Sequence, residues 1–217
     1  MARNILVVEN IFSANNRIAA ENQAIFDAAG VKSFNIMASP GAGKTSLIEQ
    51  TVKHLLQIMK LAVIDGDIAT NFDADRAQAA GAYAIQINTG GECHLDAVMV
   101  NSALKQMNLK KFDAIIIENV GNLVCPASFK LGSHKSVLIA SIPEGDDKPY
   151  KYPGMYRGVD ALVINKIDLL PYVPFNMDFF RKGVEILNPG LTTFPLSCKT
   201  GQGLERWIKW ITDIVRE

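Results

Sequence analysis

The octapeptide Ala38-Ser39-Pro40-Gly41-Ala42-Gly43-Lys44-Thr45 restricts this chain more than any other stretch, because it joins an apolar run at 33–37 to a helix-like pattern that starts at Thr45. Strand, glycine-rich turn and helix in that order form a phosphate cradle. Small residues let the backbone curl so that the amides of Gly41, Ala42, Gly43, Lys44, Thr45 and Ser46 face phosphate oxygens, and the helix N-terminus adds partial positive charge. Lys44 would reach the β- and γ-phosphates and act in catalysis, and the Thr45 hydroxyl would bind magnesium. The usual GxxxxGK[ST] pattern has glycine where this chain has Ala38, which suffices if that residue keeps a negative φ.

Strand-length apolar runs recur at 33–37, 61–65, 83–87, 114–118, 137–141, 161–165 and 192–195, with helix-length amphipathic segments at 46–59, 73–80, 95–107, 177–187 and 204–215 between them. The alternation predicts an α/β fold, a mostly parallel central sheet with helices on both faces, of the P-loop NTPase kind. Ligands of such sheets gather outside the carboxyl ends of the strands. An extra N-terminal helix is expected, capped by Ser13 and stopped at Gly30. Residues 1–217 read as a single GTPase domain, with 1–30 as an extension packed on it, and 121–134 and 143–153 as functional loops.

The apolar run at 113–117 ends in Glu118, which puts a carboxylate at the sheet edge beside the cradle, where it can hold magnesium directly or through water. Asp65 and Asp67 close another run, and Asp67 is the expected second magnesium ligand and the group that positions the attacking water. Asp73 ranks third, because with Asp75 it also suits a helix start. Asn165-Lys166-Ile167-Asp168 follows a later run: Asp168 can accept from both the ring N–H and the exocyclic amine of guanine, a donor pair adenine lacks. Lys166 can lay its stem over the base, Asn165 can brace the loop, and Ser197-Cys198-Lys199 is similar to the SAK element whose backbone amide meets the guanine oxygen. Behind the phosphate loop these elements select GTP over ATP.

Lysine plus arginine and aspartate plus glutamate both number 22, without a basic run, so nucleic acid is an unsupported partner. No run approaches the ~20 apolar residues that span a bilayer, and the N-terminal stretch lacks the pattern of a secretory signal. The expected place is the cytoplasm, where the three cysteines would be reduced thiols or metal ligands. Cys93, His94 and Cys125 are borderline-soft donors suited to nickel or zinc, although neighbouring side chains on one loop do not easily share an ion. Three ligands would leave the site open, and a two-fold dimer would bring a second set. The other reading is two small buried thiols and a loop histidine. His54 reads as a solvated helix residue, and His134 as at most a supporting group.

Taken together, ASPGAGKT, GDIATNFDAD, TGGECHLDA, ENVGNLVCPA, EGDDKPYKYP and NKIDL resemble the hydrogenase nickel-incorporation GTPases, the HypB-type metallochaperones of the SIMIBI class, over nearly the whole chain. The resemblance implies GTP-dependent homodimerisation and nickel delivery during nickel–iron hydrogenase maturation. Its implied partners are a small zinc- and nickel-binding maturation protein and the hydrogenase large subunit. By position it assigns phosphate and magnesium to Gly41, Gly43, Lys44 and Thr45, guanine to Asn165, Lys166 and Asp168, and metal to Cys93, His94 and Cys125. Gly121 would touch the γ-phosphate four residues before Cys125, so a loop rearranged by hydrolysis would carry a metal ligand with it. The sequence departs in Ala38, in SCK for SAK, and in showing neither an N-terminal cysteine motif nor a histidine-rich tract. A phosphoryl-transferring kinase, a module with structural zinc, and delivery to another enzyme such as urease are the competing readings.

Overall fold

The central strands of this chain are buried on both sides, and that dictates a sheet covered on both faces. The computed structural model describes residues 7–68 and 72–217; the first six residues of the expected N-terminal extension and residues 69–71, in the loop expected after Asp67, lie outside them. In chain order the elements are α1 (Val7–Ala29), β1 (Lys32–Ala38), α2 (Lys44–Leu55), β2 (Leu61–Asp67), α3 (Phe72–Ala79), β3 (Tyr83–Asn88) and α4 (Ala97–Leu104). They continue with β4 (Ala114–Glu118), β5 (Lys135–Ser141), α5 (Lys148–Lys151), α6 (Pro153–Arg157), β6 (Ala161–Asn165), α7 (Met177–Leu187), β7 (Thr192–Pro195) and α8 (Leu204–Arg216). The seven strands form one sheet in the order β3-β2-β4-β1-β5-β6-β7, and every pairing is parallel.

Alternate residues of each strand point to opposite faces. Phe34, Ile36, Val63, Ile116, Ile139 and Val163 pack beneath α2, α3 and α8, where Trp207 donates its indole N–H to Thr51 Oγ1 at 2.8 Å. Ala62, Ile64, Ile115 and Ile117 face α1 and α4, while Leu138, Leu162 and Ile164 face α6 and α7. Because all strands run one way, the loops after all their carboxyl ends collect on a single edge. The phosphate loop, the Cys93 loop, the Cys125 loop and the NKID segment are therefore neighbours by topology.

Four sequence expectations shift. Ser13 does not cap α1, which already begins at Val7, and the helix ends at Gly30, whose φ of 69° closes it. The helix expected over 46–59 is α2, shorter at its end because the chain turns at Leu55, with the Met59 amide bonded to the Leu55 carbonyl, to enter β2. The helix expected over 95–107 is only α4, started by Asp96, whose side chain accepts from the Met99 amide at 2.8 Å. Residues 143–153, read from sequence as a functional loop, contain short helices: Pro149 and Pro153 sit in the first turns of α5 and α6, where a missing N–H costs nothing.

Candidate functional site

The phosphate loop has the shape its sequence demands. Ala38 is the last residue of β1 and keeps negative φ, Lys166 being the one non-glycine with positive φ among the described residues, so the missing first glycine is immaterial. Gly43 precedes α2 at φ 104°, a left-handed conformation that an L side chain resists, and a β-carbon there would strike Asn165. No side chain caps α2, so its first amides face an open cleft of about 520 Å³. Gly41, Gly43, Lys44, Thr45, Ser46, Asp67, Asp73, Arg76, Gly121 and Lys166 are among its lining residues. Gly121 approaches Pro40 so closely that a β-carbon would lie 3.1 Å from the Pro40 backbone. The loop after β4 thus rests on the phosphate loop.

Parallel register sets Asp65 of β2 beside Glu118 of β4. Glu118 Oε1 accepts from the Thr45 hydroxyl at 2.8 Å, and Asp65, Asp73 and Glu118 form one group whose ligand atoms lie within 4.8 Å of one another. Asp65 Oδ2 and Glu118 Oε2 are buried with no hydrogen-bond partner. Burial, then the charges of Asp73 and Asp67, raise Asp65 from 3.8 to about 7. Burial raises Glu118 from 4.5 to about 8, an effect that Lys44 opposes and Asp65 reinforces. Orphaned, crowded carboxylates beside a threonine hydroxyl suit a hard dication with oxygen ligands, so magnesium fits here. Asp67, the expected second magnesium ligand, lines the same cleft but stands outside this group of three. Sequence reasoning ranks Asp73 third and gives Asp65 no role beyond closing its strand; the signal for Asp65 is a carboxylate inside an otherwise apolar strand.

Asn165 is 2% exposed and ties three loops together. Its Nδ2 donates to the Ala42 carbonyl at 2.9 Å, and its Oδ1 accepts from the amides of Lys166 at 2.8 Å and Cys198 at 3.2 Å. Bracing, the role read for it from sequence, is what these bonds do. Lys166, at φ 61°, sends Nζ to the Gly41 carbonyl at 2.6 Å, so its stem crosses from the NKID segment to the phosphate loop. Asp168 Oδ1 accepts from Ser197 Oγ at 2.6 Å, which orients the carboxylate, and Lys199 is exposed beside it. The Cys198 thiol is raised to about 11, first by burial, which makes it a packing residue rather than a ligand.

Cys93 and His94 lie between β3 and α4, and Cys125 opens a short turn after β4. Their donor atoms lie within 4.8 Å of one another, with Cys93 Sγ 2.7 Å from Cys125 Sγ and 3.7 Å from His94 Nδ1. The turn sets the adjacent side chains on one side, so the difficulty of two neighbours sharing an ion is met. The Cys125 thiol is pushed above the ordinary cysteine range, first by its hydrogen bond with Cys93 and next by burial, so metal binding here would release protons. His54 is exposed, as read from sequence, and His134 is engaged elsewhere, with Ser33 Oγ at 2.8 Å and Asp27 at 2.9 Å.

Two asparagines absent from the sequence expectations link this cluster to the cleft. Asn119, fully buried after Glu118, accepts from the Leu95 amide at 3.0 Å and from the Val120 amide at 2.9 Å. Asn122 donates its amide to the Ala38 carbonyl at 2.8 Å, while its Oδ1 accepts from the amides of Val124 at 2.7 Å and Cys125 at 3.2 Å. Backbone at the start of the phosphate loop is thus one residue away from the backbone that carries Cys125.

Residues 32–195 match the family described as CobW/HypB/UreG, nucleotide-binding domain. The chain is 46% identical over 209 residues to a hydrogenase maturation factor HypB of Rhizobium leguminosarum bv. viciae, across 96% of this chain and 70% of that one. A crystal structure of HypB from Helicobacter pylori in complex with nickel is similar with a TM-score of 0.89 at 38% identity, across 94% of this chain and 95% of that one. Signal recognition particle 54 kDa protein from Aeropyrum pernix, in complex with GDP, has a TM-score of 0.57 at 10% identity, across 86% of this chain and 49% of that one, a likeness of fold alone. Among the described residues no helix is long and apolar enough to cross a membrane.

Proposed function

The chain belongs to the CobW/HypB/UreG nucleotide-binding family, within its HypB branch, and we propose that it is a GTP-hydrolysing metallochaperone that hands nickel to a nickel–iron hydrogenase precursor. The observation that carries this reading is the Asn122 bridge, because it makes Cys125 move with the loop that grips phosphate. Asp168, oriented by Ser197 Oγ, would take the two guanine donors, and the uncapped amides of α2 with Lys44 would hold the phosphates. Thr45, Glu118, Asp65 and Asp73, with Asp67 at the rim, would hold magnesium, which supplies charge neutralisation on the phosphate chain. Asp67 would orient the water that attacks the γ-phosphorus, with Lys44 and the Gly121 amide stabilising the charge that develops on the phosphoryl oxygens.

Nickel is cargo. Cys93, His94 and Cys125 would take it as two thiolates and one imidazole, leaving positions for a second protomer or a receiving protein; zinc fits the same donors. Loss of the γ-phosphate would relax Gly121 from Pro40 and, through Asn122, shift Cys125, so each nucleotide state has its own nickel affinity. The half-exposed or more exposed Ile68, Phe72 and Val124 place apolar surface beside the cleft and the cysteine, which supports a nucleotide-dependent homodimer closing there. A small zinc- and nickel-binding maturation protein as donor and the hydrogenase large subunit as recipient complete the reading. Light scattering after size exclusion, with GDP or a non-hydrolysable GTP analogue crossed with nickel, tests it: dimer formation must depend on nucleotide and respond to metal.

A further inference from the structure

The three metal-binding side chains arrive on two segments with no covalent reason to stay in register, and α1 spans both. Asn15, 6% exposed, accepts from the Ala97 amide at 2.9 Å and donates to the Lys130 carbonyl at 2.9 Å. Two helical turns later on the same face, Asn22 is fully buried and donates to the Ala97 carbonyl at 2.8 Å and the Leu131 carbonyl at 3.0 Å, while accepting from Asn101 Nδ2 at 2.8 Å. Each asparagine therefore bonds both the segment that follows His94 and the segment that follows Cys125, Asn15 through opposite ends of its amide and Asn22 through the two hydrogens of its one nitrogen. Buried amides whose bonding capacity is used this fully permit one geometry only, since slippage of either segment leaves a buried polar group unpaired.

Side chains make a second connection between the same three segments. Phe129 packs on the His94 imidazole with ring centroids 3.9 Å apart and planes 32° from parallel, and the Phe12 ring of α1 has its centroid 5.2 Å from that of Phe129. The Phe129 ring limits rotation of His94 and keeps Nδ1 towards Cys93 Sγ, 3.7 Å away. At Gly132, φ 87°, the loop passes so near Ala19 that no β-carbon fits, which presses the Cys125 segment directly on α1.

The geometry points to α1 and Phe129 as the positioning apparatus of the metal site: Asn15 and Asn22 set the spacing between the Cys93–His94 and Cys125 segments, and Phe129 sets the orientation of the imidazole. This rests on the reading of Cys93, His94 and Cys125 as metal ligands. Groups that orient ligands without touching the metal change its affinity about 10- to 100-fold when removed.

The test uses the full chain with Ni(II) or Co(II) alone. Affinity is measured by competition with a chromophoric chelator, and ligand geometry by the thiolate charge-transfer and Co(II) ligand-field bands. Phe129→Leu and Asn15→Ala are expected to weaken Ni(II) about tenfold or more and to shift the Co(II) spectrum, with GDP affinity unchanged. Phe129→Tyr, which keeps the ring contact, is expected to restore affinity and spectrum. Wild-type affinity and spectrum in both the leucine and alanine variants, whatever their stability, would overturn the inference alone. A wild-type protein without a thiolate band, or one unaffected by Cys93→Ser and Cys125→Ser, would overturn the ligand assignment and this inference together.

Discussion

Replacing Glu118 by glutamine separates a cation-binding carboxylate from a merely structural one. Glu118 is 2% exposed, accepts from Thr45 with one oxygen, and has no protein partner on the other. Its pKa climbs from 4.5 to about 8 through burial, and that of Asp65 from 3.8 to about 7. The folded state therefore keeps protons that the unfolded chain has lost, so the stability present below about pH 4 drains away as pH rises towards 8. At pH 8 the Glu118 displacement alone corresponds to about 4 kcal/mol at 1.36 kcal/mol per pH unit. Burial is the largest cause of that shift, and a glutamine still buries an amide in the same place, so the substitution recovers only part of the energy, ~2 kcal/mol. Thermal unfolding in chelator should show Glu118→Gln about 4–8 °C more stable than wild type at pH 8, with the difference vanishing near pH 5. With magnesium and a GTP analogue the order should reverse, because only the wild type recovers the cost of its carboxylate by binding the cation. A variant no more stable than wild type at pH 8 in chelator, or one stabilised as strongly by magnesium and nucleotide, would refute the cation-site argument.

Other perturbations follow from single contacts. Asp168→Asn exchanges an acceptor for a donor against guanine and should weaken GDP by about 100-fold or more, with xanthosine diphosphate gaining in its place, as read by fluorescent-nucleotide titration. Asn165→Ala opens all three of its loop bonds, and urea unfolding should show a loss of ~2–4 kcal/mol together with poorer nucleotide binding. Cys125→Ala, at a half-buried position, should shift the melting temperature of metal-free protein by no more than about 2 °C yet abolish nickel binding by equilibrium dialysis; unfolding would mark the site as a structural one.

Strands β4, β6 and β7 match the sequence reading end to end, β4 and β6 because each is a short, fully buried and mostly apolar run whose stable place is inside a covered sheet. The phosphate loop and the NKID segment were legible for a related reason: their chemistry is local, set by residues within one turn. The acid group was legible only in part. Glu118 ends its strand and advertises itself, whereas Asp65 gains its meaning from lying beside Glu118, and that depends on β2 pairing with β4, a strand order no local pattern reveals. Asn15, Asn22, Asn119 and Asn122 are invisible in the sequence as structural elements, since an asparagine usually faces water. The bonds of Asn15 and Asn22 reach 75 to 115 residues along the chain, a distance at which only the folded topology decides what is near. Ser13, by contrast, misled: a good cap residue lies inside α1 because the helix starts earlier.

The central claim is that Cys125 reports the state of the phosphate loop, and nickel affinity measured in each nucleotide state tests it most directly. Isothermal titration of Ni(II) into the protein loaded with magnesium and either GDP or a non-hydrolysable GTP analogue should give affinities that differ by about 5-fold or more, with nickel altering GTP-analogue affinity relative to GDP by the same factor. Asn122→Ala, which cuts the link between the Ala38 carbonyl and the Cys125 amide, should shrink that factor towards one. Equal nickel affinity in the two nucleotide states of the wild-type protein would contradict the account.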